Sequence, residues 1–114
     1  MPQDASFTVR HAPDRHRYEL LDGGTVVGEA HYRPFGTPAG PQRIFFHTTV
    51  DDDREGEGLG SRLAAAALED TVAAGLTIVP VCPFIAAWLR GREDFTGHVG
   101  PVRPEHLAAV RRPE

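Results

Sequence analysis

Apolar and polar residues alternate in short runs through the first half of the chain, then switch to a helical pattern. Ser6-Phe7-Thr8-Val9-Arg10 predicts a first strand, with His11-Ala12-Pro13-Asp14 as the turn after it. Arg17 to Leu21 predicts a second, and Asp22-Gly23-Gly24-Thr25 a tight hairpin, because a primed turn needs positive φ. Val26 to Tyr32 predicts a third strand, although Val27 and Ala30 break its alternation. Pro34 to Pro41, with its prolines and glycines, predicts a loop. Ile44 to Val50 is a β-branched and aromatic run, hence a fourth strand. Leu59 to Ala74 is rich in Ala and Leu and stops before Gly75, which predicts a helix. Leu76 to Val81 reads as a fifth strand, and Pro80 implies an edge, a bulge or a strand end. Pro83 suits the first turn of a second helix that stops near Gly91, with Phe84, Trp88 and Leu89 as its buried face. The tail from Pro104 to Arg112 reads equally as a short, weakly held helix or a frayed terminus. Strands in an antiparallel meander followed by helices give an α+β class.

The stretch between the fourth strand and the first helix carries the clearest chemical signal. Gly56, Gly58 and Gly60 stand at alternate positions, which lets the backbone turn tightly and approach a ligand closely. The helix that follows presents unpaired N–H groups at the positive end of its dipole, where a phosphate is the natural occupant. A P-loop would need a lysine after its last glycine, and every basic residue here is arginine. A dinucleotide fingerprint would need glycine at Ser61 and a parallel βαβ unit. A calcium loop is the other rival, since Asp51, Asp53, Glu55 and Gly56 fit its early positions. Arg62, however, stands where its bidentate Glu belongs, and no helix precedes it. The run Asp51-Asp52-Asp53 reads as a solvated acidic loop. A diphosphate there would have to rest on backbone N–H groups and on arginines, of which Arg62 is nearest and Arg90 and Arg92 follow.

Composition narrows the field further. At 114 residues the chain suits one domain with one core. A hydrophobic fraction of 40% and a charged fraction of 25% are those of a soluble globular protein, with no apolar run of spanning length and no signal pattern. The net charge of −4 argues against nucleic acid as a main partner. One cysteine excludes an internal disulfide, so a cytoplasmic setting is the default. Arginine without lysine, beside much Ala, Gly and Pro, suggests a GC-rich genome.

Two side chains are candidates for chemistry. Cys82 falls at or beside the N-cap of the second helix, where the dipole favours a thiolate. It could serve as a nucleophile or proton acceptor, or simply fill a strand-to-helix corner. His47 lies in the strand leading into the glycine turn, facing either core or cofactor, and imidazole is the group most easily tuned as a base near neutral pH. His11, His16, His31, His98 and His106 read as surface residues. No His pair has ligand spacing, so a zinc site is poorly supported.

Taken together, these motifs resemble the GNAT (Gcn5-related) N-acetyltransferases, and within them a small, stand-alone, YidJ-like branch. Gly58 and Gly60 match the small positions of the family's Arg/Gln-x-x-Gly-x-Gly/Ala turn, and Gly56 a frequent extra glycine, while Glu55 replaces the usual Arg or Gln. His47-Thr48-Thr49-Val50 resembles the branch's His-Thr-x-Val strand end, with Thr49 where relatives often carry Glu. Pro80-Val81-Cys82-Pro83-Phe84 resembles its Pro-x-Cys-Pro-Phe corner, and Gly91 to Phe95 a following segment whose proline is missing here. The resemblance spans about residues 6 to 98. It implies a compact GNAT fold, a mixed and mostly antiparallel sheet of about five strands with two main helices. Residues 1–114 would form a single domain, core about 6–98 and tail 99–114. It also implies acetyl-CoA or CoA as cofactor, with pantetheine between the fourth and fifth strands, pyrophosphate on the glycine turn and the thioester near Cys82. The implied binding set is Thr49, Val50, Glu55, Gly56, Glu57, Gly58, Leu59, Gly60, Ser61, Cys82 and Phe84, with His47 and Cys82 as catalytic candidates. The expected activity is acetyl transfer to a small-molecule or peptide amine of unknown identity, without nucleic acid or membrane as partner and with the oligomeric state open. The alternative is a non-catalytic CoA-binding or protein-interaction module on the same scaffold, which Glu55 and Thr49 favour.

Overall fold

The computed structural model describes residues 7–51 and 58–112. Five strands form one sheet in the order β1-β2-β3-β4-β5. They are β1 (Phe7–Ala12), β2 (Arg17–Asp22), β3 (Thr25–Thr37), β4 (Gly40–Val50) and β5 (Thr77–Pro80). The first four pair antiparallel in sequence order, and β5 joins β4 in parallel. The parallel step is made by a crossover helix, α1 (Leu59–Ala73), as a parallel connection requires. The architecture is therefore the expected mixed α+β one. The β2–β3 hairpin is also where the Asp-Gly signal put it, with φ of 58° at Gly23 and 99° at Gly24.

Two expectations need correction. β1 runs on to Ala12, and the turn after it is a 3-10 segment, Pro13–Arg15. The segment from Pro34 to Pro41 is not a loop but the far half of the β3–β4 hairpin, which turns only at Pro38 and Ala39. Both prolines fit because of where their missing N–H groups would point. The Tyr32 N–H donates to the His16 carbonyl on the β2 side, so two residues on Pro34 also faces away from β4. The Phe45 carbonyl accepts from the Cys82 N–H on the β5 side, and Pro41, four residues back, shares that direction. Beside the two main helices, α1 and α2 (Pro83–Leu89), the tail forms a short helix, α3 (Pro104–Arg111), rather than a frayed end.

α1 packs Leu59, Leu63, Ala64, Ala67, Leu68 and Thr71 onto one face of the sheet, at helical spacing. Tyr18, Leu20, Tyr32 and Phe45 meet it from the strands. Gly75, at φ +80°, stops the helix, with the Leu76 N–H reaching back to the Thr71 carbonyl. The tail is firmly held: His106 is buried and bonds to Gln42 at 2.8 Å, while Arg33 donates to the Ala109 and Arg112 carbonyls at the end of α3. His106 is thus a packed residue, and His11 is half-buried with its Nε2 2.6 Å from the Tyr32 hydroxyl, so neither is a surface histidine.

Candidate functional site

The pairing of β4 with β5 covers only Gln42↔Thr77 to Phe45↔Pro80. Pro80 has no N–H to continue the ladder, and the Cys82 N–H instead bonds the Phe45 carbonyl at 2.8 Å as the chain turns into α2. β4 carries on to Val50 paired with β3 alone, so β4 and β5 part beyond Phe45. The Asp51 N–H donates to Val27 on β3 at 2.8 Å, and amide directions alternate along a strand. Those of Val50 and Thr48 therefore point the other way, into the opening.

Both helix starts lie at this parting. Gly58 N-caps α1 at φ +73°, a left-handed conformation that glycine adopts without Cβ strain. The first bond within the helix runs from the Arg62 N–H to the Gly58 carbonyl, so the N–H groups of Leu59, Gly60 and Ser61 have no acceptor within the helix. Leu59 contributes only its backbone, because its side chain is in the core. The Phe84 ring lies across Gly60, where a Cβ would come within 3.0 Å of Phe84 Cζ. Phe84 is 41% exposed, and it is Ile85, not Phe84, that turns into the core from α2. Ser61 Oγ accepts from Trp88 Nε1 at 2.8 Å, which ties α1 to α2. Arg62 donates to the Phe7 carbonyl and lies over the Phe7 ring, and Arg92 stacks 3.8 Å from the Trp88 ring centroid. Two of the three arginines named for the diphosphate, Arg62 and Arg92, are thus engaged with protein groups. Glu55, Gly56 and Glu57 lie outside the described residues, as does the rest of 52–57.

A one-residue bulge shapes the strand beside the opening. His31 pairs with His47 but Tyr32 pairs with Phe45, which leaves Phe46 as the extra residue of β4. Phe46 and His47 then share the face away from α1, seen in the contact of both rings with His31. Alternation puts Thr49 on that outer face, and Thr48 and Val50 on the inner one. Cys82 is buried on the inner side, N-caps α2, and approaches Thr48 Oγ1 at 3.6 Å through its thiol. His47 and Thr49 are exposed. The two catalytic candidates therefore flank the opening from opposite faces of the sheet and do not touch.

Sequence reasoning passed over Glu29 and read His31, which is half-buried, as a surface residue. Glu29 is the register partner of Thr49, and its Oε1 lies 2.8 Å from His31 Nε2. The signal was a Glu-x-His pair in a strand, since alternate residues share a face.

Among the described residues the opening offers backbone donors rather than charged side chains: strand amides at Thr48 and Val50 and the first N–H groups of α1. The model of the GCN5-related N-acetyl-transferase family matches residues 17–98 of the sequence. The chain belongs to that family. It is a GNAT-type N-acetyltransferase by descent, and the family generally uses acetyl-CoA. Its fold is similar to that of a GCN5-like protein from Staphylococcus aureus, at 20% identity and a TM-score of 0.62 over 90% of this chain and 96% of that one. It is also similar to a ribosomal-protein-alanine N-acetyltransferase from Brucella melitensis biovar Abortus 2308, at 17% identity and a TM-score of 0.53 over 76% and 66% of the two chains. A third likeness is an aminoglycoside acetyltransferase from an uncultured soil metagenomic sample in complex with sisomicin, at 16% identity and a TM-score of 0.54 over 75% and 56%. At such identities the likeness speaks to the fold. The second and third proteins are longer than this GNAT chain. No curated protein matches it. None of its helices is long and apolar enough to cross a membrane, among the described residues.

Proposed function

We propose that the chain, as one bacterial cytoplasmic domain of the small YidJ-like branch, binds acetyl-CoA and passes its acetyl group to an amine of a small molecule or peptide. The observation that carries this reading is the parting of β4 from β5 with the start of α1 at its mouth. Acetyl-CoA would supply an activated acyl carbon and leave as the thiol, so that ammonium and thioester give amide, CoA thiol and one released proton. The N–H groups of Gly58 to Ser61, and the neighbouring Glu55 to Glu57 segment, would hold the pyrophosphate. The Val50 and Thr48 amides would fix the pantetheine arm, and an N–H aimed into a dry opening is suited to polarise a thioester carbonyl. Cys82 and Phe84 would line the inner side. The acceptor must lose a proton before it can attack, and His47, on the open outer face, is the base we assign, with Cys82 as the thiol-side candidate.

Calorimetric titration with acetyl-CoA tests the reading. Binding is expected for the wild type and is expected to be lost in Gly58→Val, which forces a β-branched residue into φ +73°. Affinity retained in Gly58→Val would move the cofactor off the turn. The non-catalytic alternative is favoured by Thr49 in place of a carboxylate and by the engagement of Ser61 and Arg62 elsewhere. Binding of acetyl-CoA without turnover on any small or peptide amine would select it.

A further inference from the structure

On the outer face beside the opening, β3 and β4 bring two imidazoles and a carboxylate together. His31 and His47 are register partners whose ring centroids are 5.8 Å apart at 37°. Behind His31 stands Glu29, with Oε1 2.8 Å from Nε2. A carboxylate only accepts, so the Nε2 of His31 carries the proton and its Nδ1 is left as the basic atom. We propose that Glu29, His31 and His47 form a two-imidazole proton acceptor, which takes the proton that the acceptor amine sheds at the outer face of the β4 bulge. This rests on the acetyl-transfer reading above and adds Glu29 and His31 to it as positioning residues that act through His47.

The charge arrangement supports this. Glu19 and Glu29 are register partners, yet Glu19 is bound by Arg10 at 2.5 Å and by Arg17 at 2.8 Å. Arg17 reaches Glu29 only at 3.8 Å, which leaves His31 as the nearer partner of that carboxylate. Arg33, the next residue of β3 on the same face, donates to the end of α3 and lies over Phe46. The groups facing the pair are therefore Arg17 and Glu19 from β2, Glu29 and Arg33 from β3, and His47 itself from β4. The bulge is what brings His47 onto this face next to Phe46, and bulges commonly re-aim a side chain beside an active site. In the step itself, an ammonium gives one proton to the free nitrogen of His47 and keeps the electron pair for attack. The positive charge then rests on the His47 ring, beside the His31 ring whose Nε2 is held by Glu29.

Nitrogen-15 ring signals of the histidines in the full-length protein, read by NMR at pH 7.5, provide the test. Wild type is expected to hold the His31 ring as the Nε2–H tautomer that Glu29 selects. Glu29→Gln should relax that preference, and the change should reach the ring signals of His47, as should His31→Asn. Acetyl-CoA affinity, read by calorimetry on the same variants, should not change. His47 ring signals that are the same in wild type and in Glu29→Gln would overturn the proposal. Failure of the wild type to bind acetyl-CoA would instead remove the acetyl-transfer reading and this inference with it, whatever the ring signals show.

Discussion

Glu19 shows what a single charged residue can impose on this sheet. It is 1% exposed, yet Arg10, Arg15 and Arg17 all reach its carboxylate. The bond from Arg10 is the leading reason its carboxyl is held below the usual value of 4.5, against the opposing effect of burial. The folded state therefore prefers the ionised form, and the stability it supplies is present above about pH 4.5 and is lost as pH falls through the lower folded value. His11 works in the same direction at higher pH. Burial, then the Arg43 charge, lower its pKa from 6.5, so its contribution is present above 6.5 and fades on acidification. Urea denaturation at pH 7.5, 5.5 and 4 should show stability falling at each step. Glu19→Gln should cost about 1–3 kcal/mol at pH 7 and flatten the lower step. An unchanged slope below pH 5.5 in that variant would remove Glu19 as its source.

At the scale of elements, the close fit of β3 against β4 is set by Gly28. A Cβ there would lie 3.0 Å from the Thr49 carbonyl oxygen and 3.3 Å from Val50 Cγ2, so the strand that carries His47 would have to shift. Gly28→Val should cost about 1–3 kcal/mol and weaken acetyl-CoA binding as well, checked by urea denaturation and calorimetry together. Loss of stability without loss of affinity would place the opening out of reach of this contact. The same region shows what the sequence disclosed. The Asp22-Gly23 hairpin and the Gly75 stop were legible because local φ requirements decide them. The broken alternation at Val27 was visible too, and the register shift between Leu20 and Leu21 gives its cause, a bulge at the extra residue Val27. Pro34 and Pro41 were misread because the direction of an absent N–H depends on register, which spacing does not reveal. On α2 the expectation holds for Trp88 and Leu89, which pack against the core, and fails at Phe84, where Ile85 is buried instead, since a seven-residue helix gives too few turns for a periodic pattern. The bulge at Phe46, which parts His47 from Cys82, had only the adjacent aromatics Phe45-Phe46 as its trace. The Glu29–His31 pair became meaningful only once β3 lay beside β4.

Across the whole molecule, the first and last described elements are tied to the sheet in different ways. The start of β1 is an edge, whereas α3 is fastened through His106, Gln42 and Arg33 across β3 and β4. Removal of residues 102–114 should therefore lower Tm by several degrees, as a loss of about 1–2 kcal/mol does in a domain of this size. A truncated chain that melts with the wild type would return the tail to a frayed terminus. Deletion also leaves the Arg33 guanidinium without the Ala109 and Arg112 carbonyls, so it tests a connection from the tail to the strand that bears Glu29 and His31.

The ladder of β4 toward β5 stops at Phe45 while the strand itself does not. Its remaining length is a backbone margin that offers hydrogen bonds to whatever lies alongside. A linear molecule with amides of its own is, to such a margin, a removable strand. The sheet would then be complete only while that molecule is in place, and vacant it would present the kind of border onto which another extended chain can add. The supply of such a partner would thus govern how well the protein stays dispersed, apart from any reaction it carries out.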